Sequence, residues 1–353
     1  MSNGSFAFLV HPRVRVSADM ARVWSPLGAV PERVYDTALR RLPVPPITMA
    51  SVVIGGRQAG HVVMVPCGAR RLLEQPGRGR RLVDRATDRA VRLGAGLVGL
   101  GALTATVTAG GVALRSRTDI GVTNGNAFTA ATVDTQARRL LDTLGTDRGR
   151  HVAVVGATGS VGSAVTALLA RDRAVDRLTL VARSAPRLGA LAARTGGHVP
   201  TTVSVSMRDV ADADLVVLLT ASADSLLRPE HLRPGAVVLD ATQPRNTSPA
   251  LAAERPDVLV VDGGVVDIPS LRLLGGDIGL PDGKAYACFA ETALLALSGH
   301  EGHFAVGAPT LEQVDHTRAL AADLSHLGFT PCASTSFGRP VPAPVALPPG
   351  VAA

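Results

Sequence analysis

The chain has 353 residues, a formal net charge of +7 and 46% hydrophobic residues. This length predicts two domains, or one large domain with an inserted unit, and the hydrophobic content suffices for sizeable cores. Three cysteines, an odd number, argue against a disulfide scaffold and for a reducing compartment. The positive charge indicates an acidic partner, but with only 3% aromatic residues a nucleic-acid surface built on base stacking is not expected.

Residues 1–147 are predicted to form an N-terminal α/β domain, because amphipathic segments are broken by prolines around 43–46. The apolar run at 6–10 follows no basic segment and precedes no small-residue cleavage pattern, which is typical of a cytoplasmic protein. The segment 93–114 carries no charge and is long enough to span a membrane. Its glycines and threonines favour a buried helix end followed by a parallel strand, so no integral membrane span is expected.

Arginines crowd the segment just before this apolar stretch. A solvated helical face and a docking patch for an acidic partner are equally good interpretations of that pattern. The residues concerned are Arg70, Arg71, Arg78, Arg80, Arg81, Arg85, Arg89 and Arg92.

A turn is predicted at Asn124, Gly125 and Asn126, opening a helix that runs through Leu144. This turn is either an ordinary helix N-cap or a polar loop that faces the nicotinamide of a dinucleotide bound by the next segment.

The segment HVAVVGATGSVGSA, residues 151–164, reads as strand, glycine turn and helix. Glycines allow the backbone to approach a pyrophosphate, whose charge is met by free N–H groups at the helix N-terminus. A second strand at 177–181 follows at the distance expected of a βαβ unit. Further strands near Val203 and at 215–220, 236–240 and 258–262 alternate with helical stretches. Residues 148–278 are therefore predicted to be a doubly wound Rossmann domain.

Candidate cofactor-binding residues follow from this fold. An NAD-binding unit usually has Asp or Glu at the end of its second strand, whereas this chain reads VARSAPR, which favours the 2′-phosphate of NADPH. The later strand ends are the other places where such sheets bind ligands. The predicted cofactor-binding residues are Gly156, Thr158, Gly159, Ser160, Val161, Gly162, Arg183, Ser184, Arg187, Thr220, Ala221, Gly263 and Gly264.

Residues 279–334 are predicted to be a helical segment with one reactive cysteine. A helix starting near Gly283 and capped by Asp282 places Cys288 in its second turn. Lys284, the one lysine of the chain, then lies on the same helical face, where its ammonium lowers the pKa of the thiol.

The remaining cysteines and histidines are weaker candidates for functional residues. Cys67 and Cys332 lack a comparable context and are predicted to be structural. His300 and His303 have no third ligand at metal-binding spacing, so no metal is expected. A second helix is predicted at 310–327, and residues 335–353 read as a Pro-rich disordered tail.

Several of these segments resemble the aldehyde-forming acyl-(acyl carrier protein) reductases known best from cyanobacterial alkane synthesis. They are GATGSVGSAV, LVARSAPRL, the DGGVV turn and above all ACFAETALLALSG. The likeness runs from FAFLVH at residue 6 to HLGFTP near 326 and is densest from 150 to 330. It departs at Phe128, where the family often has His, and at 303–308, which lack the family's Arg.

The resemblance implies NADPH as cofactor and Cys288 as the active-site cysteine. Its thiolate would attack the thioester of an acyl carrier protein or of acyl-CoA, and hydride transfer to the acyl-enzyme would release an aldehyde. Thr129 and backbone N–H groups are candidates for stabilising the oxyanion. An acidic carrier protein would also explain the basic surface, with the 70–92 arginines as the first docking candidate.

Two other interpretations stay open. One is an oxidoreductase like shikimate dehydrogenase or glutamyl-tRNA reductase, although the first domain offers no lysine for the former and only Cys67 for the latter. The other is a non-enzymatic NADP(H)-binding partner protein, which predicts cofactor affinity without turnover and no consequence of Cys288→Ala.

Overall fold

The computed structural model describes residues 4–12, 17, 20–21, 24–41, 44–144, 149–195, 197–220, 226–243 and 245–341. Its strands are β1 (Phe6–Val10), β2 (Ile47–Ile54), β3 (Arg57–Met64), β4 (Leu97–Leu100), β5 (Gly121–Thr123), β6 (His151–Val155), β7 (Arg177–Val181), β8 (Thr201–Ser204), β9 (Leu215–Leu218), β10 (Val237–Asp240), β11 (Leu259–Asp262), β12 (Val265–Asp267), β13 (Arg272–Gly275), β14 (Lys284–Tyr286), β15 (Thr330–Pro331), β16 (Thr335–Ser336) and β17 (Arg339–Pro340). Its helices are α1 (Glu32–Arg41), α2 (Ala69–Glu74), α3 (Pro76–Arg92), α4 (Leu103–Val107), α5 (Asn126–Thr143), α6 (Ser160–Arg171), α7 (Ala185–Arg194), α8 (Pro249–Glu254), α9 (Ala287–Leu297) and α10 (Leu311–Asp323).

The chain divides into two compact units. The first consists of Met1–Phe128 and Val266–Thr330, and the second of Thr129–Val265 and Pro331–Ala353. The sequence predicts borders after residues 147, 278 and 334 instead. One difference has a clear cause, because β13 pairs antiparallel with β2 and so belongs to the first sheet. The residue pattern of a short strand does not reveal which sheet edge it joins.

The first unit is built on a six-stranded mixed sheet with the order β13-β2-β3-β1-β4-β5. β1 is parallel to β3 and β4, and β4 is parallel to β5, whereas β2 is antiparallel to β3. The apolar sequence FAFLV makes β1 suited to this interior position, and four of its five residues are buried.

Helix α9 packs against β1 and β4 of this sheet. Phe289 in its first turn meets Phe6 and Phe8 edge-on, with ring centroids 5.6 and 5.2 Å apart. Gly99 of β4 allows a close approach, because a Cβ there would lie 2.0 Å from the hydroxyl oxygen of Thr292. The sheet therefore fixes the position of the helix that carries Cys288.

The second unit contains a six-stranded parallel sheet with the order β11-β10-β9-β6-β7-β8. The chain passes from β6 outward to β7 and β8 and then returns to β9 on the other side of β6. This reversal is the topological switch point of a doubly wound fold. The predicted α/β fold with a Rossmann sheet is confirmed, and β7 spans the predicted residues 177–181.

The uncharged segment 93–114 contains β4 and the short helix α4, with the strand buried as predicted. Within the described part of the chain, no helix has both the length and the apolar character needed to cross a membrane.

Residues 335–341, which the sequence assigns to a disordered tail, contain the antiparallel pair β16–β17. The buried carboxylate of Asp262 at the end of β11 holds this hairpin, accepting hydrogen bonds from the Thr335 hydroxyl at 2.8 Å and from the N–H groups of Phe337 and Gly338 at 3.0 and 2.8 Å. Proline density alone therefore misses a turn that a distant carboxylate stabilises. Residues 342–353 lie outside the described residues.

Candidate active site

Cys288 is the second residue of α9, which begins at Ala287 after an N-cap at Tyr286. The predicted helix start near Gly283, with Asp282 as cap, is wrong. Gly283 has a φ of +75° and its carbonyl accepts the N–H of Ile268, so the chain here turns and forms a strand before the helix starts. Cys288 consequently lies closer to the positive end of the helix dipole than the sequence predicts.

Lys284 belongs to β14 and not to the cysteine helix. Its ammonium pairs with the Asp267 carboxylate at 2.7 Å, and both side chains are about one-third exposed, at 34% and 35%. The predicted position of Lys284 one helical turn before Cys288 is therefore wrong. The lysine joins β14 to β12 and has no helical face in common with the thiol.

The turn at Gly125 lies directly against Cys288. A Cβ placed on Gly125 would be 2.2 Å from the Cβ of Cys288 and 2.4 Å from its Cα, and the φ of Gly125 is +76°. Only glycine fits both the contact and this backbone conformation. The turn is followed by α5, as predicted, and the Asn124 side chain caps the helix by accepting the N–H of Asn126 at 3.0 Å.

Glu291, one turn after Cys288, is the residue of this site that sequence reasoning missed. Its carboxyl is fully buried, and it accepts the hydroxyl of Thr123 and, at 2.7 Å, the N–H of Phe128. A glutamate inside the otherwise apolar run ACFAETALLAL was the available signal, because an isolated carboxyl in such a helix needs a buried partner.

The three cysteines differ in access to solvent. Cys288 is half-buried, whereas Cys67 and Cys332 are buried. Burial raises the pKa of the Cys288 thiol to about 12, and the charge of Glu291 adds to the increase. The N–H groups of Phe289 and Cys288, at the start of α9, act in the opposite direction. At neutral pH the Cys288 side chain is therefore a thiol, held where a helix N-terminus can stabilise developing negative charge.

The predicted glycine turn of the nucleotide-binding unit connects β6 to α6. Gly156 has a φ of +84°, and a Cβ on Gly162 would lie 2.3 Å from the Gly156 carbonyl oxygen. Gly159 is the N-cap of α6, and no side chain caps that helix. These features fit a dinucleotide, because glycines let the backbone approach a pyrophosphate and the N-terminus of a helix favours its negative charge. Thr158, Ser160 and Val161 complete the turn.

The end of β7 carries basic side chains and no carboxylate. Arg183 and Arg187 are exposed, and Ser184 is the N-cap of α7. Arg187 donates a hydrogen bond from Nη2 to the Thr158 carbonyl at 2.7 Å, so its guanidinium lies over the glycine turn. β7 is hydrogen-bonded to β6, which places these residues on the side of the sheet where a Rossmann unit holds the ribose of its dinucleotide.

The other predicted site residues are spread over the second unit. Thr220 follows β9, next to β6, and bonds to the Asn246 side chain, whereas Ala221 lies outside the described residues. Gly263 and Gly264 follow the edge strand β11 and pack against Ala241. Thr129 is the fourth residue of α5 and is half-buried.

Three comparisons with known proteins bear on this site. Residues 151–261 match the family described as the NAD-binding domain of semialdehyde dehydrogenase. The chain is 30% identical over 217 residues to the long-chain acyl-[acyl-carrier-protein] reductase of Synechococcus elongatus, covering 60% of this chain and 62% of that protein. It is 28% identical over 263 residues to the aminotransferase PigE of a Serratia species, covering 72% of this chain and 30% of that protein. The chain thus spans less than two thirds of the length of either relative.

Among solved structures, the malic enzyme of Entamoeba histolytica aligns with 93% of this chain and 64% of that chain, at 15% identity and a TM-score of 0.46. The family match and the doubly wound sheet together support a nicotinamide-dependent oxidoreductase. Within that class, the chain is similar over most of its nucleotide-binding part to a semialdehyde dehydrogenase domain and over 217 residues to an acyl-[acyl-carrier-protein] reductase.

Proposed function

We propose that this protein reduces an acyl thioester, carried by an acyl carrier protein or by CoA, to an aldehyde, with NADPH as reductant and Cys288 as nucleophile. The observation that carries the proposal is the placement of Cys288. It is the accessible one of the three cysteines, it stands at the start of a buried helix, and the Gly125 turn lies against it. Similarity to an acyl-[acyl-carrier-protein] reductase supports the thioester substrate.

The sulfur of Cys288 attacks the carbonyl carbon of the substrate thioester. Because the pKa of the thiol is raised to about 12, the sulfur loses its proton as it attacks, and the proton leaves with the pantetheine thiol. The product of this step is an acyl thioester on Cys288. A thioester accepts hydride far more readily than a carboxylate, so covalent capture prepares the acyl group for reduction.

The nucleotide-binding unit would hold the reductant. The turn from Gly156 to Gly162 and the first turn of α6 would bind the pyrophosphate, and Arg183 with Arg187 would bind the 2′-phosphate. When bound, NADPH supplies a hydride to the carbonyl carbon of the acyl group. The bond between that carbon and the Cys288 sulfur would then break, releasing the aldehyde, and the thiolate would regain its proton from water.

The proposal is tested by intact-protein mass spectrometry. The purified chain is mixed with acyl-carrier and acyl-CoA thioesters of several lengths, without NADPH, beside Cys288→Ser and the matched control Cys332→Ser. We expect an acyl mass increment on the wild type and on the control but not on Cys288→Ser, and discharge as aldehyde when NADPH is added. If NADPH binds but no thioester labels the protein, the acyl-enzyme mechanism is refuted for those substrates.

We also propose that an acidic carrier protein docks on the arginine-rich face of α3. Arg81, Arg85 and Arg92 are exposed there. The helix carries six arginines and two aspartates, and Arg117 pairs with both aspartates, Asp84 at 2.9 Å and Asp88 at 2.7 Å, so the face is net positive. A face of this sign attracts an acidic partner and steers its approach.

Charge reversal at Arg81→Glu with Arg85→Glu tests this docking surface. We expect kcat/KM to fall about tenfold or more for an acyl carrier protein substrate at low salt and to stay unchanged for uncharged acyl-pantetheine. The control is Arg208→Glu, which reverses the charge of an exposed arginine in the second unit and should leave kcat/KM unchanged. Equal losses for both substrates would contradict docking at this face.

A further inference from the structure

Glu291 is a buried carboxyl that the proposed reaction does not use. It lies three residues after Cys288 on α9, so the two side chains are on adjacent positions of one helical face. Its side chain is fully buried, with 0% exposure. Carboxylates are almost never buried completely unless donors satisfy them, so the donors around Glu291 indicate what it holds.

Every identified donor to Glu291 comes from one short segment, residues 123–128. The Thr123 hydroxyl donates to Oε1, and the N–H of Phe128 donates to Oε2 at 2.7 Å. The N–H groups of Gly125 and Ala127 also donate to the carboxylate. The Glu291 carboxylate of α9 thus accepts hydrogen bonds both from the end of β5 and from the first turn of α5, where the N–H groups of a helix have no partner within the helix itself.

The same segment is held from a second direction. The Asn124 side chain is 1% exposed and donates from Nδ2 to the carbonyls of Gly110 at 2.9 Å and Gly307 at 2.7 Å. Gly125 follows Asn124 directly, donates its own N–H to Glu291, and packs so closely on Cys288 that an added Cβ would lie 2.2 Å from the Cβ of the cysteine. The distance between the turn and the thiol is therefore set by the Glu291 hydrogen bonds on one side and the Asn124 hydrogen bonds on the other.

We propose that Glu291 is a positioning residue for Cys288, whose carboxylate holds the 123–128 turn against the cysteine and so fixes the direction in which the thiol attacks. This inference rests on the proposed function in taking Cys288 as the residue that is acylated. Misplacement of a nucleophile by about 1 Å costs on the order of 100-fold in rate, so a loosened turn has a measurable effect.

A carboxylate and an amide differ sharply at this position. Glu291→Gln keeps the size of the side chain but points an NH2 group at backbone donors, so at least one N–H of the turn loses its acceptor. The variant also removes a negative charge that raises the pKa of the Cys288 thiol. Thiolate formation therefore becomes easier, which favours both alkylation and acylation, whereas the worse geometry of attack slows acylation alone.

The test compares alkylation with acylation of Cys288 in the full chain. Alkylation by iodoacetamide from pH 7 to 10 and acylation by a thioester are both followed by intact mass, with Cys288→Ser as background. For Glu291→Gln we expect the alkylation profile to move to lower pH by about one unit and acylation to slow about tenfold or more. The control Asp134→Asn removes another buried carboxylate, which pairs with Arg138 at 2.8 Å, and should change neither.

Two results overturn the proposal: rates of alkylation and acylation that change by the same factor, or an Asp134→Asn variant with the same split. If Glu291→Gln does not fold, Glu291→Asp replaces it, because this variant keeps the charge but moves the carboxylate away from the turn. Slower acylation of Glu291→Asp with an unchanged alkylation profile then supports the positioning role. Unchanged acylation refutes it. If no thioester acylates the wild type, the proposed function fails; the role of Glu291 is then tested separately by hydrogen exchange, and equal protection of the Phe128 N–H in the wild type and in Glu291→Gln overturns it.

Discussion

At the scale of single residues, Gly125 is the most constrained position of the candidate site. Its φ of +76° disfavours any side chain, and a Cβ would collide with Cys288 at 2.2 Å. We expect Gly125→Ala to abolish thioester acylation and to lower the free energy of unfolding by about 2 kcal/mol or more.

The control for this variant is Gly94→Ala. Gly94 has a similar φ of +79°, but a Cβ there would meet nothing within 4 Å. It therefore isolates the cost of the backbone conformation, about 1–2 kcal/mol, from the cost of the collision. Urea unfolding and acylation of the two variants are compared, and equal behaviour of the two would show that the contact with Cys288 is unimportant.

Because its carboxyl is buried, Glu291 makes the free energy of unfolding depend on pH, and this contribution can be assigned to that one residue. Burial raises the pKa of this carboxyl from 4.5 to about 7. The folded chain therefore retains a proton that the unfolded chain releases, and this contribution to stability is lost as the pH rises through that interval. We expect a contribution to the slope of up to about 1.4 kcal/mol per pH unit. Urea unfolding at several pH values between about 5 and 7 measures this slope, and the Glu291 contribution should be absent from Glu291→Gln.

At the scale of elements, the contact between β4 and α9 places the cysteine helix. A Cβ on Gly99 would lie 2.0 Å from the Thr292 hydroxyl oxygen and 2.8 Å from the Phe8 ring. We expect Gly99→Ala to push α9 away from the sheet, to destabilise the protein by about 1–3 kcal/mol and to slow acylation of Cys288. In the matched control Gly96→Ala, the nearest atom to the new Cβ is 4.0 Å away. Thermal unfolding of both variants decides whether this close approach positions the helix.

At the scale of the whole molecule, a dinucleotide that binds the folded chain raises its stability. At about 100 times Kd this increase is about 2.7 kcal/mol, so thermal unfolding reports affinity without any substrate. We expect a larger increase with NADPH than with NADH, because Arg183 and Arg187 favour a 2′-phosphate. Arg183→Ala should weaken NADPH binding about 10- to 100-fold and remove that difference. Arg194→Ala, an exposed arginine at the other end of α7, should leave it intact.

The nucleotide-binding unit was predictable because its signals are local. The signals for β6, the glycine turn and α6 all lie within roughly 20 consecutive residues. They are an apolar β-branched strand, glycines at fixed spacing and a following helical segment. The absence of a carboxylate after β7 and the basic residues in its place are likewise read directly from the chain. Cys288 was singled out by its spacing from Lys284, which does not describe a helical face, and the resemblance of its segment to a known family then pointed to the same residue.

The surroundings of Cys288 were decided by tertiary structure alone. Lys284, four residues away in sequence, pairs with Asp267, whereas Gly125 and Glu291 form the environment of the thiol. The reason is physical: Gly283 turns the chain and β14 forms before the helix, so the spacing of residues 284 and 288 does not describe a helical face. Sequence by itself determined the nucleotide-binding fold and the candidate nucleophile. Only the packing of α9 on the first sheet decided which side chains act on that nucleophile, because those contacts join residues more than 160 positions apart.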